Sequence, residues 1–359
     1  MARRVDLKRL GGLVAGPEGS WSMSVKNVLR RAAVPAAAGL AAACLLAAGA
    51  PAQAVLAAPA GPAVLHVSGT VSLGAVNNKF TYQFSEAPNG TVYYFKGRVV
   101  YAVAGTKKPS AVLHAGSNVL AVAANKTEFF AQTGRTVRAY RVSNRHLVRK
   151  WTLPKSFGPL TSAGLYAVGS TLWSWTDWAT DMSGFEFANV NRIVTSSPAV
   201  HVVSKNIADP ADMAADSAGL YYEAINSHGA TGYLIRVSPS GHVTRRTDKN
   251  IDAPLALAGG RVFLLAFHQR SGKQFLDAFR GSNLHGVFSK QKSTQVYDIA
   301  GTGAGLLMLQ AGKISRLSAA TGAVTGTLSL AHLVTLVPGP SAAVITFSGG
   351  VASLHRLAS

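Results

Sequence analysis

A chain built entirely from β-strands, folded as a propeller of seven four-stranded blades, is predicted by three observations: a recurring motif, its spacing, and the way the two ends of the array complement each other. The motif is a small or polar turn followed at once by a short apolar run of β-type residues. It reads Thr-Val-Tyr-Tyr-Phe from Thr91, Glu-Phe-Phe-Ala from Glu128, Thr-Leu-Trp-Ser-Trp from Thr171, Gly-Leu-Tyr-Tyr-Glu from Gly219, Arg-Val-Phe-Leu-Leu from Arg261, Gly-Leu-Leu-Met-Leu from Gly305 and Ala-Val-Ile-Thr-Phe from Ala343. The first apolar residue of each copy, Val92, Phe129, Leu172, Leu220, Val262, Leu306 and Val344, follows the last by 37, 43, 48, 42, 44 and 38 residues. A period of about 40 to 50 residues carrying only strand signals is what a propeller blade leaves in a sequence.

Each repeat divides into up to four strands. In the fourth copy the inner strand is Ala211 to Asp216, the second Leu220 to Ile225, the third Tyr233 to Val237 and the outer one His242 to Thr247. Gly229, Gly232 and the turn Ser238-Pro239-Ser240-Gly241 supply the hairpin chemistry between them. The last copy has strands at Leu333 to Val337, Ala343 to Phe347 and Val351 to Leu357, and is one strand short. A strand-like stretch, Ala63 to Leu73, is left over before the first full repeat. Pairing the leftover strand with the incomplete blade closes the ring and hides two sheet edges.

The first 54 residues are set apart from this domain as an N-terminal extension and secretory signal. Lys26, Arg30 and Arg31 make a basic n-region, Ala32 to Ala48 an Ala/Leu-rich apolar segment, and Ala52-Gln53-Ala54 a small-residue cleavage motif before Val55. Residues 1 to 22 are given no structural role, 55 to 62 form a short linker, and the propeller domain runs from 63 to 359. The competing readings are a membrane anchor, which the interruptions at Pro35 and Gly39 disfavour, and a lipid anchor at Cys44. Cys44 is the chain's sole cysteine, so cleavage near Ala54 leaves a domain without disulfides or thiol chemistry.

The chain carries 35 Lys and Arg against 15 Asp and Glu. Seven of the bases and two of the acids lie in the first 54 residues, so the remainder holds 28 against 13. Outside the cytoplasm such a surface meets anionic envelope polymers or phospholipid headgroups rather than nucleic acid.

Three hairpins, at Arg138 to Trp151, Tyr233 to Val243 and Lys313 to Val324, share an apolar strand, a polar turn and a second strand. The turn ends in Gly in two of them and is Asn144-Arg145 in the first. They resemble the third-to-fourth strand hairpin of bacterial PQQ-like, YVTN and NHL-type propeller repeats. That resemblance implies the fold and a secreted interaction role. Trp151 stands where PQQ-type repeats carry a tryptophan packed between blades, but no cofactor is carried over.

Catalytic signatures are missing from the sequence: it contains no His-Glu-x-x-His, no Gly-x-Ser-x-Gly and no P-loop. Gly301-Thr-Gly-Ala-Gly305 is read as a glycine turn, because a strand follows it where a dinucleotide site needs a helix. Asp209, Asp212 and Asp216 have spacings of three and four, which do not match a calcium loop, and no metal site is assigned. His268 reads equally as a strand-end residue or a base.

Two features are candidates for binding. Trp173, Trp175, Asp177 and Trp178, with Asp181 beyond, gather three of the five tryptophans in six residues. They are read either as packing in the wedge between blades or as a stacking platform with a carboxylate beside it, suited to sugars or cations. Arg138, Arg141, Arg145 and Arg149 lie in a stretch free of acids between Glu128 and Asp177, read either as a solvated face or as a docking site for a phosphate- or uronate-bearing polymer. The expected function is a secreted or envelope-associated, non-catalytic binding module, without cofactor, for an anionic envelope polymer or a partner protein. An extracytoplasmic lyase or glycan hydrolase and a structural scaffold are the alternatives.

Overall fold

The computed structural model describes residues 2–3, 63–75, 83–155, 160–179, 186–208, 212–225, 232–248, 254–268 and 273–358. The assigned signal segment other than residues 2–3, Cys44, Asp181 and Asp209 lie outside the described residues. Among the described residues no helix is long and apolar enough to cross a membrane.

Seven antiparallel four-stranded sheets follow one another along the chain as blades one to seven, spanning 84–114, 121–152, 160–208, 213–248, 255–292, 296–329 and 333–358. All seven anchor residues of the repeat motif lie in second strands: Val92–Lys96, Glu128–Thr133, Thr171–Ala179, Gly219–Ile225, Arg261–His268, Gly305–Gln310 and Ala343–Ser348. The reason is packing. A second strand has a neighbour on each edge and a blade against each face, so it reads as a continuous apolar run rather than an alternating one. Val92, Tyr93, Tyr94 and Phe95 are buried in succession. A fourth strand at the rim, such as Gly286–Lys292, is mostly exposed and polar. Apolar clusters between adjacent blades hold the ring together, for example Tyr93, Phe95, Phe129 and Ala131 between blades one and two. Fully burying one such side chain contributes about 1.5–3 kcal/mol.

Blade seven takes its outer strand from the start of the domain. His66–Ala75 pairs antiparallel with Val351–Ala358, from His66 opposite Ala358 to Ala75 opposite Val351. The leftover strand of the sequence divides in two. Ala63–Val64 runs parallel to the outer strand of blade six, Val324–Ser329, before the chain passes Leu65, which is buried, into blade seven. His355 stands between the two joined segments, its Nδ1 2.9 Å from Thr70 Oγ1 and its Nε2 2.8 Å from Thr346 Oγ1. Lys96 of blade one donates to the carbonyl of Leu73 at 2.6 Å.

A buried ion pair locks the closed ring across the junction of blades seven and one. Arg356 Nη1 lies 2.8 Å from Glu86 Oε1, while Nη2 donates to the Gly90 carbonyl at 2.6 Å. The backbone N–H of Ser341 donates to Glu86 Oε2 at 3.0 Å, and its hydroxyl bonds the other oxygen.

One expectation is corrected. Residues 1 to 22 were assigned no structural role, yet Ala2–Arg3 forms a short strand on the inner edge of blade one, with Ala2 opposite Ser85 and Arg3 opposite Phe84. An innermost strand keeps one edge of unpaired backbone groups toward the ring axis, and any extended segment that reaches it satisfies those groups.

Candidate binding surface

Trp173, Trp175 and Trp178 lie in the interior, at 1, 7 and 1 % exposure, and Asp177 is buried with them. Trp173 and Trp175 share a core cluster with Met213, Leu220 and Tyr222 of blade four, and the bond between Ser204 and Tyr222 hydroxyls ties the same two blades. Trp175 packs so closely on Gly164 of the neighbouring strand that a Cβ there would overlap its indole nitrogen. Trp173 and Trp175 therefore pack in the wedge between blades three and four, Trp178 is buried as well, and none of the three offers an exposed indole face.

The bases of the second predicted site divide by what they touch. Arg138 donates to Thr133 Oγ1 at 2.8 Å, and Arg149 to the carbonyl of Thr195 in blade three. Trp151, at the position expected to pack between blades, is buried and donates its indole N–H to the Ser197 carbonyl at 2.8 Å. Arg149 belongs to a joint repeated around the ring. Arg192 reaches the Pro239 carbonyl of blade four, Arg246 that of Leu284 in blade five, and Arg261 that of Ala319 in blade six. In each case a guanidinium clasps the third-to-fourth strand turn of the next blade by donating to one of its carbonyls.

Arg141 and Arg145 sit at the third-to-fourth turn of blade two and are exposed. Arg145 has φ of 62°, at the place where the corresponding turns of blades four and six carry Gly241 (φ 91°) and Gly322 (φ 65°). A non-glycine residue there costs about 1–2 kcal/mol of backbone strain. Its guanidinium donates to the Ala111 carbonyl on the outer strand of blade one at 3.2 Å. Beneath it, Tyr93, Phe129 and Tyr140 stack ring on ring at 5.5 and 5.2 Å across the junction of blades one and two.

Three exposed bases missed by the sequence reading share this end of the ring: Lys107 and Lys108 in the third-to-fourth turn of blade one, and Lys126 in the first-to-second turn of blade two. The signal that could have found them is charge asymmetry. Between Glu86 and Asp177 the chain holds twelve Lys and Arg against one acid, Glu128, whereas from Asp177 onward it holds fifteen against eleven.

First-to-second turns of all seven blades surround one mouth of the central channel, a cavity of about 480 Å³ lined chiefly by small residues such as Ala124, Ala215, Gly260 and Gly301. Its two carboxylates already have structural partners: Glu86 has Arg356, and Asp216 accepts the N–H of Ala218 at 2.9 Å. Burial raises the Asp216 pKa above the usual carboxylate range despite those backbone donors. Burial, with the Asp216 charge behind it, pushes the nearby Tyr221 hydroxyl up to about 12, and that hydroxyl donates to the Gly281 carbonyl. Asp212 joins blades four and five, accepting the N–H groups of Met213 and Leu255. His268 is the last residue of its strand, and Gly301 and Gly305 flank a turn between two strands of blade six.

No protein-family model matches the chain, and no curated protein matches it. Solved structures do. A chain in the crystal structure of BBS1N in complex with ARL6DN is 12 % identical at a TM-score of 0.49, covering 82 % of this chain and 96 % of that one. A chain of the mitotic checkpoint complex is 12 % identical at 0.49, over 88 and 100 %. BamB from Moraxella catarrhalis is 10 % identical at 0.45, over 82 and 100 %.

Proposed function

We propose that the protein is an extracytoplasmic, non-catalytic binding module that presents blades one and two to anionic material of the cell envelope. The observation that carries this reading is the concentration of positive charge: twelve bases against one acid between Glu86 and Asp177, on a ring otherwise close to balance. A rigid closed ring suits the role, because its outer turns stay fixed without a conformational change on binding. The basic n-region, apolar segment and Ala52-Gln53-Ala54 motif supply the route out of the cytoplasm.

Retention of the exported protein on washed cell envelopes tests the reading. It should fall steeply with added salt, since the Debye length shrinks from about 10 Å at 0.1 M to about 3 Å at 1 M. Retention independent of salt, or none at all, refutes it.

A further inference from the structure

The basic sector points in one direction. In an antiparallel four-stranded blade the first-to-second and third-to-fourth turns emerge on the same face of the ring. Lys107, Lys108, Lys126, Arg141 and Arg145 all sit in or beside such turns, on two adjacent blades, and all are exposed. Two carboxylates lie beside these turns: Glu128, directly across the strand pair from Arg141, and Glu86, which is buried and paired with Arg356. The bond from Arg145 to Ala111 draws the blade-two turn over the outer strand that follows the Lys107–Lys108 turn. Arg145 holds that position with a left-handed backbone where blades four and six use glycine and blade five uses Leu284 (φ 58°). Leu284 is buried, whereas Arg145 turns an exposed guanidinium to the neighbouring blade.

Resting on the binding role above, we propose that this turn face docks a phosphate-bearing polyanion, gripped by Lys107, Lys108, Lys126 and Arg141, with Arg145 holding the two turns side by side. Phosphate is favoured over a uronate polymer because sugar rings are held by exposed aromatic faces. The aromatic ladder here lies beneath the turns, with Tyr93 and Phe129 buried and Tyr140 half-buried. Ammonium groups on flexible stems donate to phosphate oxygens from many directions, which suits a polymer without a fixed conformation.

Long-chain inorganic polyphosphate is the probe, with polygalacturonate and duplex DNA as comparison ligands, and the exported protein is used whole. Replacing Lys107, Lys108 and Lys126 together by Ser should weaken polyphosphate binding at least tenfold and flatten the log–log salt dependence by about two to three units, about one per lost contact. The circular dichroism spectrum should be unchanged, because all three side chains are exposed. Replacing Lys205, Lys273 and Lys313, exposed on blades three, five and six, removes the same charge elsewhere and should weaken binding less than threefold. Equal weakening by both triple variants would overturn the site while leaving the binding role intact. Tighter binding of polygalacturonate or of duplex DNA would overturn the phosphate-polymer assignment. A wild-type protein that binds none of the three would refute the binding role itself.

Discussion

Removing Arg356 should damage the ring more than any exposed base can. Its guanidinium is the positive partner of Glu86, whose side chain is fully buried, and it also holds the Gly90 carbonyl. Replacement by Leu takes the guanidinium away from a buried carboxylate that keeps its Ser341 donors, and leaves Gly90 without that bond. Breaking a buried pair in this way costs about 3–5 kcal/mol. For a domain of this size about 2–3 °C is lost per kcal/mol, so the melting temperature should fall by about 6–15 °C. Scanning calorimetry measures it. Adding Glu86→Gln removes the stranded charge, and the double variant should recover at least half of the loss. A single variant melting within 2 °C of wild type, or a double variant no better than the single, would show that the pair contributes nothing to closure.

Three further outcomes are expected. Trp173→Ala should cost about 3–5 kcal/mol by denaturant unfolding, as for a large side chain removed from a core; a change near zero would return the tryptophan cluster to a ligand role. Burial lowers the pKa of His355 below 6.5, so its neutral form favours folding: the contribution is present above pH 6.5 and is lost as pH falls below it toward the lowered value. His355→Gln should flatten the stability profile over that window, which unfolding at a series of pH values checks. Deleting residues 63–75 removes the outer strand of blade seven and should cause aggregation or early melting, and an unchanged transition by calorimetry would refute closure by that strand.

The fold was legible because second strands are squeezed on every side, so seven of them repeat as apolar runs that no loop requirement disturbs. Closure was legible for a similar reason: the strand at 63–73 had no blade of its own. The division at Leu65 was hidden because the two-residue pairing of Ala63–Val64 with blade six leaves no periodic signal. Within the candidate sites, sequence could not show that Arg149 is spent on the Thr195 carbonyl, since that bond joins residues 46 positions apart in different blades. Nor could it show that Lys107, Lys108 and Lys126 share a face with Arg141. The face is created by the antiparallel turns, and the residues lie as much as 34 positions apart.

The shared seventh blade sets a clock on synthesis. The strand His66–Ala75 is made before every blade, but its partner Val351–Ala358 follows only after 275 further residues. At about 5–20 residues per second, this strand waits about 15–55 s for its strand partner. Its composition fits that wait: Gly69 and Gly74 interrupt the apolar run, and Ser68, Thr70 and Ser72 alternate with Val67, Val71 and Leu73. A strand so diluted pairs poorly with copies of itself on neighbouring nascent chains, yet pairs at eight residues, across two register shifts, once Val351–Ala358 arrives.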